Sequence, residues 1–370
     1  MKSLTNKMNE KSQDWCEMPL TRLNAVRAFV VIFIAIGYAS IMVDPTHTTE
    51  VFRHFGYDPS WYGIQILFCL SGYLALRSLN RHGSALRYLM SRALRTLPLL
   101  AIYTSAVVFI LYPVFCGSDE PVSKTFPKLA AYFLKTVTLI DPGTPLPGGL
   151  EGSKDMCVLQ GAIWTFRWGA LIHIFMALGW RIGVLKSRLV ILGLAIAATI
   201  FYILSYSWSL QNGYEQLEPA IIGLRLGYAF LAGASLWGWQ HKLPTQRRSK
   251  LILLGALFGA ALLNYLVLPW SPLIEVLSTL FWTYIAVLII QKPSRATDWM
   301  ASWPNLTLGI YIGCWPVCKS LISLYPNMGM LALILSTLII TIVLAIITHV
   351  TVSGHINVWA SQALRRKVAI

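Results

Sequence analysis

Apolar runs about as long as a bilayer is thick recur along this chain, each closed off by polar or basic residues. A helix needs about 20 apolar residues to cross the hydrocarbon core. Ten segments meet that length: residues 24–43, 62–79, 97–115, 161–182, 189–207, 219–240, 251–270, 273–291, 304–324 and 328–350. The stretch from Lys128 to Ile140 is mixed in character and too short to span, so it is expected to lie at the interface. The pattern predicts an all-α polytopic membrane helical bundle of about ten transmembrane helices. A polar segment over 1–23 precedes a transmembrane domain over 24–350, and a tail follows over 351–370. Composition agrees, with 56% apolar and 12% charged residues and a mean hydropathy of +0.61. The first run exceeds a signal-peptide core, so the first helix is expected to stay in the protein.

Charge then orients the bundle. With both termini cytoplasmic, 21 of the thirty basic residues fall in inside segments. Five fall outside: Arg53, Lys124, Lys128, Lys135 and Lys154. Arg27, Arg167, Arg225 and Lys319 lie within spans. That asymmetry follows the positive-inside rule and predicts cytoplasmic termini. The net charge of +15 is dispersed in short clusters between apolar runs. Nucleic acid is therefore not an expected partner, because it would need one continuous basic face. Outside, the long segment 116–160 holds Cys116 and Cys157, which either close as a disulfide in an oxidising compartment or stay as thiols. The six cysteines lack metal spacing, and no metal site is expected.

The densest chemistry lies between Gly63 and Pro98. An apolar run broken by Ser71 and Gly72 leads into Arg77, Arg81, Arg87, Arg92 and Arg95. Arg92 and Arg95, three apart, share a helix face. Beside a helix pair that can approach closely at Ser71 and Gly72, two such cations suit an anionic ligand such as a phosphate. A positive-inside loop would also account for the cluster. On the first helix, Asn24, Arg27 and Tyr38 form a polar stripe about 16 Å long by helical rise. Such a stripe should face protein or a cavity, and His173 and Glu275 are further polar residues inside spans. No serine-hydrolase elbow, phosphate-cradling glycine loop or paired intramembrane carboxylate is present. The pairs Gly223 and Gly227, and Gly255 and Gly259, fit close helix packing.

GIQILFCLSGYLALRSL followed by LRYLMSRALRTLPLL resembles the core signature of the type-three integral membrane acyltransferases, which O-acylate cell-envelope glycans. Gly63, Phe68, Leu70, Ser71, Gly72, Arg92, Arg95 and Pro98 carry that signature. RLNAVRAFVVIFIAIGYAS is similar to the family's first helix, GAIWTFRW to its fourth-helix block, LRLGYAFLAGASLW to its sixth and LTLGIYIGCWPV to its late block. The family's aspartate and presumed catalytic histidine on the first helix fall on Asn24 and Tyr38. Its other acids fall on Gln65, Gly169 and Val358, and its closing proline on Ala360.

The resemblance implies a bacterial inner-membrane enzyme moving an acyl group, most simply acetyl, from acyl-CoA to a hydroxyl of a cell-surface polysaccharide or lipid-linked glycan. Arg27, Arg92, Arg95 and Ser71 would bind the acyl-CoA, which is a substrate rather than a resident cofactor. Tyr38 and His173 are the candidate catalytic residues, with His47 and His54 as outside substitutes. A phenol is mostly protonated at neutral pH and is a weak base beside an imidazole. The alternative expectation is a catalytically degenerate relative that exports or flips glycan, or serves as an accessory subunit.

Overall fold

The computed structural model describes residues 22–43, 59–115, 121–142, 146, 159–212, 218–243, 246–267, 272–291 and 295–353. Eleven helices carry the architecture: α1 (Leu23–Val43), α2 (Pro59–His82), α3 (Ala85–Phe115), α4 (Val122–Val137), α5 (Gly161–Arg181) and α6 (Arg188–Asn212). They continue with α7 (Glu218–Trp239), α8 (Arg247–Val267), α9 (Pro272–Gln291), α10 (Thr307–Leu324) and α11 (Met330–Thr348). All but α4 are long and apolar enough to cross a membrane, so this is a multi-pass helical bundle. Cys116, Cys157, His47 and His54 lie outside the described residues, as does Val358.

The largest departure from the expected boundaries is at α3, which begins at Ala85, twelve residues before the anticipated span. Local chemistry explains it. Gly83, with φ +60, ends α2 in a left-handed conformation and donates its N–H to the Leu79 carbonyl. Ser84 then caps the next helix, its Oγ accepting the Arg87 N–H at 3.5 Å. The joint is two residues long, so Arg87, Arg92 and Arg95 are helical residues rather than loop residues. Near its far end α3 widens into a π turn at Val107–Leu111, where the Tyr112 N–H reaches back to the Val107 carbonyl. Pro113 follows directly, with no N–H and a ring that crowds the preceding turn.

Cα packing divides the chain into two units. The first comprises Met1–Val26, Gln65–Tyr88 and Phe175–Trp303. Within it α2 and α7 meet at glycines: a Cβ on Gly72 would stand 1.8 Å from the Phe230 carbonyl oxygen, and one on Gly233 would stand 1.7 Å from that of Cys69. Only glycine permits backbones that close. Gly227, Gly255 and Gly259 face open space, so the pair Gly255 and Gly259 read from the sequence does not serve packing among the described residues. Most of α8 is exposed, and Ala261 is its one buried hydrophobic residue.

Buried polar groups knit α2, α6, α7 and α9 together in this unit. Arg225 pairs bidentately with Glu275, which also accepts the Tyr202 hydroxyl proton at 2.7 Å. Gln65 accepts from the hydroxyls of Tyr228 and Thr279. At the other end of the same helices, Tyr73 donates to Gln240 at 2.7 Å and accepts from Gln291 at 3.0 Å. In a bilayer such groups have no water to fall back on, so internal pairing is what makes them tolerable.

The second unit comprises Arg27–Ile64, Leu89–Ile174 and Pro304–Ile370. Tyr103 of α3 sits against Gly309 and Gly313 of α10, and its hydroxyl lies 3.4 Å from that of Thr348 on α11. Val122–Val137 forms the amphipathic α4, which begins six residues before the expected interfacial stretch. Tyr132 anchors it, packing with Val107, Val108 and Tyr112 and donating to Gln160 at 2.7 Å. Lys124, Lys128, Phe126 and Leu134 remain exposed, consistent with a helix lying along an interface.

Candidate functional site

Three helices of the second unit bring their cations together. Arg27 enters from the first turns of α1, Arg92 and Arg95 from one face of α3, and His173 from the middle of α5. Arg27 stands within electrostatic range of both Arg92 and Arg95, and His173 within range of Arg92 and Arg27. Arg27, Arg92 and His173 are partly exposed, and Arg95 is exposed. Among the described residues, Arg27 and Arg95 form no ion pair with a carboxylate. The Arg27 and Arg95 guanidinium groups therefore repel each other, and an external anion with several oxygens would relieve that repulsion.

A second layer lies further along α1. Tyr38 is buried and meets Trp315 of α10 edge to face, with centroids 4.9 Å apart. Its hydroxyl lies beside that of Tyr311 without a well-formed hydrogen bond. The Tyr311 hydroxyl is 2.7 Å from that of Thr165 on α5, and Phe166 packs edgewise on the Tyr311 ring. Gly161 lets this layer close, since a Cβ there would fall 2.3 Å from the Trp315 indole. The stretches RLNAVRAF…GYAS, GAIWTFRW and LTLGIYIGCWPV thus meet through Tyr38, Gly161, Thr165, Tyr311 and Trp315. Eleven residues separate Arg27 from Tyr38, which places the layers about 16 Å apart along α1 by helical rise.

The two candidate catalytic residues belong to different neighbourhoods: His173 stands with the arginines, and Tyr38 with Tyr311 and Trp315. Ser71 sits on α2 in the first unit, partly buried beside the Gly72 crossing. Gly169 lies one turn before His173 on α5 and is partly exposed. Arg225 is accounted for by Glu275 as an internal bundle contact. Asn24, at the head of the polar stripe, donates to the Trp303 carbonyl at 3.3 Å. Sequence reasoning missed Tyr311 and Thr165, because a Tyr and a Thr within apolar runs look like ordinary core residues. Their one signal was membership in the two blocks named above.

No group of three or more His, Cys, Asp or Glu side chains among the described residues is placed to hold a metal ion. No family model, curated protein or solved structure matches the chain.

Proposed function

We propose that this chain is an integral membrane acyltransferase of the bacterial inner membrane. It would carry an acyl group, most simply acetyl, from acyl-CoA to a hydroxyl of a cell-surface polysaccharide or lipid-linked glycan. The observation that carries the reading is the convergence of Arg27, Arg92 and Arg95 from two helices with His173 beside them. A donor with phosphates at one end and a thioester at the other suits a site of two layers. The arginines would grip the phosphates, and the extended arm would reach toward Tyr38. In the transfer, a base takes the proton of the acceptor hydroxyl and the oxygen attacks the thioester carbonyl. The C–S bond then breaks, and the departing thiolate collects the proton. Tyr38, with its hydroxyl unengaged, is suited to donate a hydrogen bond to the developing oxyanion. His173 is the candidate base of this reading, which requires it to come within hydrogen-bond reach of the acceptor hydroxyl at the thioester during turnover.

The separation of His173 from Tyr38 favours a second reading, in which the donor grip persists but the transfer step does not. The chain would then serve glycan export or act as an accessory subunit. Acetyl-CoA turnover by the purified chain decides between them. Under the first reading the unaltered chain transfers acetyl, and His173→Ala lowers the rate by about 10²- to 10⁴-fold. Turnover only after Tyr38→His establishes the second. Failure of every form to bind acetyl-CoA removes both.

A further inference from the structure

The first unit carries a second concentration of cations that the proposed reaction does not use. It forms where α5 ends, α6 begins and α7 ends. Gly183, with φ +88, turns the chain out of α5, and a short 3-10 turn at Val184–Lys186 delivers it into α6 at Arg188. The Arg188 backbone carbonyl accepts the Trp239 indole N–H at 3.4 Å. Its side chain lies across Gly238, where an added Cβ would stand 3.7 Å from Cγ. Its guanidinium reaches His241, 2.9 Å from one ring nitrogen and 3.3 Å from the other. Lys242 stands over the Trp239 ring at 5.3 Å. Arg188 is therefore laid in place by three residues of a neighbouring helix end, while Lys186, Arg188, His241 and Lys242 remain exposed.

No carboxylate balances this group among the described residues of the unit. Glu275 is held by Arg225, and Asp298 is paired with Arg22. Glu218 opens α7, and 24 residues of helical rise place it about 36 Å from Lys242. The charge count assigns this end to the cytoplasmic face, and Trp180 and Trp239 stand there as interfacial indoles do.

The geometry points to a binding site for the headgroup phosphate of an anionic phospholipid of the inner leaflet. Arg188 and Lys242 would hold the phosphate oxygens, and Trp239 would lie along the glycerol and upper acyl region. A fixed fork beside a point charge suits a phosphodiester. The indole makes a lipid a better fit than free phosphate, since a soluble anion gains nothing from it.

Native mass spectrometry of the full chain, offered phosphatidylglycerol and phosphatidylcholine in equal amounts, tests the assignment. Phosphatidylglycerol should be retained preferentially. Arg188→Gln with Lys242→Gln should lower that retention at least tenfold, at roughly fivefold per charge removed. Removing the same charge from the tail with Arg365→Gln and Arg366→Gln should leave it unchanged. Gly238→Ala should be neutral, whereas Gly238→Leu, which keeps every charge but displaces the Arg188 stem, should reproduce the loss. Equal losses from the two charge pairs, or equal retention of the two lipids, would overturn the proposal. So would inorganic phosphate that binds the unaltered chain while phosphatidylglycerol shows no preference. Monodisperse elution of each variant separates loss of the site from loss of the fold.

Discussion

The Glu275 carboxylate accepts from Arg225 and from the Tyr202 hydroxyl while wholly buried, so its loss would strand a guanidinium in the membrane interior. Glu275→Gln should destabilise the chain by about 3–5 kcal/mol, the usual cost of breaking a buried pair from one side. Replacing both partners, with Arg225→Met and Glu275→Leu, should recover much of that loss. Denaturation in a fixed detergent, followed for the single and double variants, measures the difference. The prediction fails if the double variant is less stable than the single one. At this scale, chemistry read from residue type alone was least complete. Glu275 and Arg225 were visible as intramembrane charges, but a separation of 50 positions gives no sign that they meet. Tyr311 and Thr165 were hidden by their resemblance to core.

Among the elements, α3 matters most to the candidate site, because a two-residue joint makes its first three turns helical and fixes Arg92 and Arg95 on one face. If these side chains hold the donor, Arg92→Gln and Arg95→Gln should each raise KM for acetyl-CoA about tenfold or more, the scale of one hydrogen bond to a charged group. kcat should change far less, since binding to the phosphates is the same in ground and transition states. Arg95 is the more exposed, so its contribution should shrink more as salt rises. Steady-state kinetics at two ionic strengths test both statements, and a fall in kcat at unchanged KM would contradict the assignment. The ten spans were legible in the sequence because length and hydropathy specify them almost unaided. The start of α3 was not, because a basic stretch of Leu, Arg, Met and Ala favours helix while reading as a loop on hydropathy alone.

For the molecule as a whole, the distribution of basic residues predicts an orientation that has a direct test. Single cysteines replacing Lys186 and Lys242 should react with an impermeant maleimide only when the inner face is opened. Cysteines replacing Lys124 and Lys128 should react in intact cells. Labelling of the first pair from outside would invert the topology, and with it the face from which an acyl-CoA could enter. Cys16, Cys116 and Cys157 would first be replaced by Ser, and the native thiols at Cys69, Cys314 and Cys318 are buried and should contribute little background.

The crossing of α2 and α7 at Gly72 and Gly233 leaves these two backbones no space in which to slide or roll past one another. They behave as a single girder. Any rearrangement within this unit must therefore carry α2 and α7 together and be taken up by the helices around them.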